Sequence, residues 1–221
     1  ARTAKPSTDH ALMILLQEDG RVVTLAWCVL IAVVVAPIAE EVFFRLLVQG
    51  WLERVERRWQ RHIRFARGVS RGALPVLFSS LVFALPHSRG PGPPPGPELI
   101  LHGMICQMFA NVATVGFALA LVRWRVGATW VDLGLPRDGM ARDIGLGLAA
   151  ALAVVPWVYL LQLFLGSILP EGVPADPYTL VPFAVALGFL YYRTHRIVPS
   201  IVLHMALNAT SLALAWSMLP R

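Results

Sequence analysis

Six apolar segments divide the chain, and their lengths leave little choice but a membrane. They run Val22–Leu52, Ala73–His87, Leu99–Val122, Ile144–Leu169, Leu180–Tyr192 and Pro199–Leu219. The third, fourth and sixth reach the ~20 residues that an α-helix needs to cross the hydrocarbon core. The second and fifth are short and contain prolines. Such segments suit partial or broken helices that are buried in protein or line a wet cavity. Lipid offers backbone groups no hydrogen bonds, so only helices and closed barrels span it. The expected fold is therefore all-α: a single domain over residues 1–221, folded as a polytopic bundle of about six transmembrane helices.

Composition agrees: 57% of the residues are hydrophobic and 14% are charged, with mean hydropathy +0.63. An ordinary soluble domain carries about 45–50% and about 25% respectively. This balance excludes a disordered tail and argues against a freely soluble enzyme. The net charge of +6 and the pI near 10.1 could suggest nucleic acid, but the arginines are not spread over a face. Seven lie between the first two segments: Arg54, Arg57, Arg58, Arg61, Arg64, Arg67 and Arg71. Arg123, Arg125, Arg137 and Arg142 follow the third segment, and Arg193 and Arg196 follow the fifth. The alternate connections are poor in positive charge, holding only Arg89. The positive-inside rule reads this as orientation. The Arg-rich connections, 53–72 first among them, are expected in the cytoplasm and both termini outside, in the cell membrane of a prokaryote. No nucleic-acid partner is expected.

Residues 1–20 are expected to form an interfacial segment with a short capped helix over Asp9–Asp19. A chain beginning at Ala1 is expected not to start at its translation start, and no signal peptide is expected there. Leu52, Val55, Trp59 and Ile63 recur at helical spacing, so the first helix can continue along the membrane surface, where its arginines would favour anionic lipid. Residues 88–97 hold the run Gly92-Pro93-Pro94-Pro95-Gly96-Pro97 and predict a stiff loop. Cys28 and Cys106 have neither metal-site nor disulfide-framework spacing and are expected to be inert core thiols. Ser79 and Ser80 are expected to pack helices or bond backbone. His102, Gln107 and Asn111 are expected to act as interhelical polar groups.

The informative residues are polar ones inside the apolar segments. A charge at the bilayer centre costs about 2.5–3.5 kcal/mol on insertion scales. The first segment nonetheless carries Glu40, Glu41 and Arg45. Glu41 and Arg45 are an i,i+4 pair in the favourable order and can neutralise each other. Glu40 points about 100° away and has no partner on its own helix. His87 ends the second segment, and His204 and Asn208 share one face of the sixth. Counted from the cytoplasmic segment ends, Glu40 lies ~18 Å deep, His87 ~21 Å, His204 ~9 Å and Asn208 ~15 Å. Three segments thus bring Glu, His, His and Asn to overlapping depths.

At these residues the sequence resembles a known family. Glu40-Glu41-Val42-Phe43-Phe44-Arg45 has the form EExxxR, Phe83-Ala84-Leu85-Pro86-His87 the form FxxxH, and His204-Met205-Ala206-Leu207-Asn208 the form HxxxN. Each pattern alone is weak. All three, in order and each in an apolar segment, resemble the CPBP intramembrane proteases, which include type II CAAX prenyl endopeptidases and bacteriocin-processing relatives. The resemblance covers Val22–His87 and Leu187–Ser211. Relatives carry the second and third motifs close together, whereas here 117 positions separate His87 from His204. The intervening WVDLGLPR and the helix after it resemble what relatives carry upstream of the Glu-Glu helix.

The resemblance implies a multi-pass endopeptidase acting on membrane-embedded or lipid-anchored peptides. Glu40 would be the general base, with His87 holding the water. His204 and Asn208 would donate to the developing oxyanion. Glu41, Arg45 and Phe83 would support them. A buried carboxylate is a stronger base than a solvated one. Glu40, His87 and His204 would equally make a His₂Glu zinc set with an open position, although HExxH is absent. GxSG and GxGD, the marks of other intramembrane protease classes, are absent too. The competing expectations are a transporter or proton relay built on the same buried Glu/His/Arg network, and a non-catalytic family member. No internal repeat supports a transporter.

Overall fold

The structure, a computed structural model, describes residues 15–16, 22–62, 70–87, 96–136, 138–170 and 175–218. Among them are six helices and no strand. We number them α1 (Val22–His62), α2 (Ala73–His87), α3 (Pro97–Val126), α4 (Met140–Ile168), α5 (Asp176–Thr194) and α6 (Val198–Ser217). Four of them, α1, α3, α4 and α6, are long and apolar enough to cross a membrane, and α2 is a shorter apolar helix. The expected interfacial helix over Asp9–Asp19 lies outside the described residues except for Leu15 and Leu16. These two are helical and buried against Cys28, Val33, Ile100 and Leu212. The expected stiff loop over 88–97 also lies outside them, apart from its end at Gly96 and Pro97.

Helix α1 does not stop at Leu52. Its 41 residues run on to His62, so the first part of the Arg-rich connection is helical. Two stretches of α1, Val29–Val35 and Val42–Gln49, are wound as π-helix. Pro37 lies just after the first. Its ring clashes with the carbonyl four residues back and it donates no hydrogen bond, so the helix widens before it. The Ala36 amide accordingly bonds Ile31, five residues earlier. The six residues between the wide stretches, Ala36–Glu41, return to α-geometry and end in the two glutamates.

Helix α2 starts at Gly72, whose φ of 80° is left-handed. A Cβ there would sit 2.3 Å from the Tyr192 ring, so both the turn and the packing require glycine. At the other end, Pro86 closes α2 in a single 3₁₀ turn, Leu85–His87. Gly127, at φ 67°, ends α3, and its amide bonds the Arg123 carbonyl at 3.0 Å. The loop after α3 carries WVDLGLPR and seats on the α5–α6 corner, where the Ile197 amide bonds the Gly134 carbonyl at 3.0 Å. In that loop the Thr129 hydroxyl and amide bond the Asp132 carboxylate and hold its pKa below the usual carboxyl range.

Helices α4, α5 and α6 share a core of Ala151, Val155, Val158, Phe183, Leu187, Leu203 and Leu207. Helix α2 lies along α5, and α3 lies along the first half of α1. This arrangement shortens the 117-residue separation of the motifs. The chain leaves α2, makes α3 and α4 on the flanks, and returns through α5 to α6.

The α4–α6 contact depends on Gly147. A Cβ there would lie 2.7 Å from the Pro199 carbonyl oxygen and 2.6 Å from the Val202 Cβ. Small residues let membrane helices approach this closely. Gly147→Ala is expected to cost about 1–3 kcal/mol by overpacking. Gly145→Ala, with nothing within 4 Å of the new methyl group, should leave stability unchanged. Thermal unfolding of both variants in detergent checks this.

Two expectations need correction. Cys28 is buried, but Cys106 is exposed on α3 and is not a core thiol. His102, Gln107 and Asn111 do not bridge helices: the His102 ring bonds the Glu98 carbonyl, and Gln107 bonds Asn111, all within α3. Helix α3 packs through its apolar residues, which leaves these groups on its outer surface.

Candidate active site

Four helices meet around the two glutamates. Glu41 is fully buried. One of its carboxylate oxygens accepts from Arg45 Nε at 3.2 Å, and the other faces His204 Nδ1 at 3.1 Å. Glu40, one residue earlier, points to a different side. Its Oε2 lies 3.9 Å from His87 Nε2 and 3.8 Å from His204 Nε2. These separations are too long for direct hydrogen bonds. The same Oε2 is buried with no hydrogen-bond partner among the described residues.

Each imidazole is fixed by what its other nitrogen meets. His87 Nδ1 lies 2.8 Å from the Phe83 carbonyl, which can only accept, so the proton sits on Nδ1. Neutral His87 then turns an unprotonated Nε2 toward Glu40. His204 Nδ1 likewise faces a carboxylate, so its Nε2 can donate only when the ring is charged. Phe83 organises the whole group. Its ring stacks on His87 at 4.9 Å, meets His204 edge-on at 5.7 Å and carries the Arg45 guanidinium at 5.5 Å. Phe183 meets the His204 ring at 5.5 Å.

Asn208 stands one turn beyond His204 on α6, where its side-chain amide donates to the Ala32 carbonyl at 2.7 Å. That carbonyl belongs to the first wide stretch of α1. Exposure is graded across the site. The His204 side chain is 6% exposed, Glu40 24% and His87 35%, so the group opens on the side of Glu40 and His87.

The sequence reading did not assign Ser79, Gln49 or Gly188 to this neighbourhood. Ser79 Oγ accepts from Arg45 Nη1 at 3.4 Å, and Gln49 donates to the Gly188 carbonyl at 3.0 Å. The signal for Gln49 was there: Glu41, Arg45, Gln49, Glu53 and Arg57 follow one another at steps of four. Ser79 and Ser80 do bond backbone as expected, both to the Val76 carbonyl. The further bond of Ser79 to Arg45 could be read only once α2 was placed.

Glu40, His87 and His204 are donors of the kind zinc takes. A zinc tetrahedron with bonds of about 2.0–2.2 Å holds its ligand atoms about 3.5 Å apart. The 3.8 and 3.9 Å separations are wider than that. Among the described residues no group of three or more His, Cys, Asp or Glu side chains is arranged to hold a metal ion.

Fold and site together define a polytopic helical membrane protein with a carboxylate and two imidazoles converging between its helices. The chain belongs to the Rce1-like type II CAAX prenyl endopeptidase family: the model of that family matches residues 22–135 and 143–210. The match includes α1, α2, α5 and most of α6, and runs through the stretch between the second and third motifs. No curated protein and no solved structure matches the chain.

Proposed function

We propose that the protein is an intramembrane endopeptidase that hydrolyses peptide bonds in membrane-associated, C-terminally prenylated substrates. The observation that carries this reading is the convergence of two imidazole nitrogens on the buried Oε2 of Glu40. The family description supports the substrate class.

In this reading a water sits between Glu40 and His87. Glu40 takes its proton as the water oxygen adds to the scissile carbonyl, and the neutral Nε2 of His87 accepts the second hydrogen bond and orients the attack. The carbonyl oxygen becomes an oxyanion. Charged His204, held by Glu41, donates to it from Nε2, and the second amide hydrogen of Asn208 adds a further donor. As the C–N bond breaks, Glu40 returns the proton to the leaving amine. The products are a carboxylate and a free amine, with the water consumed. The Arg-rich end of α1 is assigned to the cytoplasmic side of a prokaryotic cell membrane, its arginines near anionic headgroups.

The test uses purified protein in liposomes and a peptide ending in a prenylated cysteine followed by three residues. The expected result is release of the C-terminal tripeptide, retained after exhaustive chelation. Cleavage of the unprenylated peptide alone would overturn the substrate class. Activity lost on chelation and restored by zinc would overturn the metal-free water.

A further inference from the structure

The polar series on α1 continues past the residues that face the reaction. Gln49 is fully buried. Its amide nitrogen donates to the Gly188 carbonyl of α5 at 3.0 Å and to Glu53 at 3.2 Å. Its amide oxygen faces the Ser79 hydroxyl of α2 at 3.4 Å, and that hydroxyl faces Arg45 Nη1 at 3.4 Å. A Cβ on Gly188 would come within 3.0 Å of Gln49 Oε1 and 3.4 Å of Arg45 Nη1, so α5 approaches both side chains with bare backbone. Three helices therefore meet at Gln49, with the Ser79 hydroxyl between it and Arg45.

The consequence follows from the order of contacts. Arg45 fixes one oxygen of Glu41, and the other oxygen fixes His204 Nδ1. The aim of His204 Nε2 at Glu40 therefore rests on a guanidinium, and the guanidinium rests on Ser79, whose hydroxyl faces Gln49. In a pure α-helix each step of four residues drifts about 40° round the axis. The π-wound stretch Val42–Gln49 holds more residues per turn, so a step of four there falls short of a full turn instead of overshooting it.

We propose that Gln49, acting with Ser79, is a positioning residue for the hydrolysis: it holds Arg45, and through Arg45 and Glu41 it orients the His204 imidazole. The inference rests on the endopeptidase reading. Neither side chain touches the reacting atoms.

The experiment compares Gln49→Met and Ser79→Ala with wild type and with Glu40→Gln, all in liposomes with the prenylated peptide. Each positioning variant is expected to lose about 10- to 100-fold in kcat, as small misplacements do, with KM within about twofold. The double variant is expected to fall no further than the worse single one, because both act through one guanidinium. The nitrogen NMR signals of the His204 side chain are expected to shift in both single variants. Wild-type kcat in a folded Gln49→Met or Ser79→Ala protein overturns the proposal. So does a fall in kcat with the His204 signals unmoved, because that marks a structural role alone. If Gln49→Met does not fold, Ser79→Ala, which removes one atom, decides. Full activity of Glu40→Gln removes Glu40 from the reaction, and no cleavage by wild type strikes at the endopeptidase reading; in either case the His204 signals still decide the positioning role.

Discussion

Glu40→Gln is expected to lower cleavage by about 10²- to 10⁴-fold, the usual contribution of a positioned general base. The substitution keeps the shape of the side chain and removes its basicity. Glu40 makes no direct hydrogen bond to either imidazole, since both lie at 3.8–3.9 Å, so little structure depends on its charge. The variant should therefore keep its unfolding temperature and its substrate KM while kcat collapses. Steady-state kinetics with circular dichroism on the same preparation measures both. A folded Glu40→Gln protein that cleaves at the wild-type rate would remove Glu40 from the reaction.

Arg45→Ala is expected to have the largest effect on stability. Glu41 and Arg45 are both 0% exposed, and Arg45 is the permanently charged partner of the Glu41 carboxylate, at 3.2 Å. Removing one member of a buried pair costs about 3–5 kcal/mol, because the other charge stays buried and uncompensated. The loss should appear as a large fall in unfolding temperature in detergent. Replacing both members, as Glu41→Gln with Arg45→Met, should recover most of that stability, because two neutral groups need no pairing. Under the proposed mechanism it should not recover cleavage, because His204 Nδ1 then loses the carboxylate it faces. If Arg45→Ala unfolds with wild type, the pair is not the anchor of α1.

Much of this site could be read before any fold was known. Glu40, Glu41 and Arg45 announced themselves by their cost in an apolar segment, and His87, His204 and Asn208 by their overlapping depth. The divergence of the adjacent glutamates toward different partners was also legible, because neighbours on a helix point about 100° apart. Ser79, Phe183 and Gly188 stayed hidden for a physical reason. A serine, a phenylalanine and a glycine are ordinary in a membrane helix, and only the packing of α2 and α5 against α1 gives these three a task. The ends of elements were harder. Apolarity ends near Leu52, yet α1 continues to His62, because backbone hydrogen bonding does not stop where hydrophobicity does. Cys106 was misjudged for a related reason: in a membrane helix apolar surroundings can be lipid, so an apolar run does not by itself imply burial in protein.

The wide winding of α1 over Val42–Gln49 also bears on how the chain tolerates insertions and deletions. A π-helical stretch is a helix carrying surplus residues in its turns. Deleting one residue there would let the backbone relax toward ordinary winding without breaking the helix. The lost residue would come out of the surplus, so the helix beyond would turn by less than the ~100° that a deletion from ordinary α-helix imposes. Glu40 and Glu41, upstream, would keep their places, while Gln49, within the stretch, would shift from its contacts with α2 and α5. A shortened version of this stretch should therefore remain a helix with its far end little turned, yet lose the contacts of Gln49 to Ser79 and Gly188.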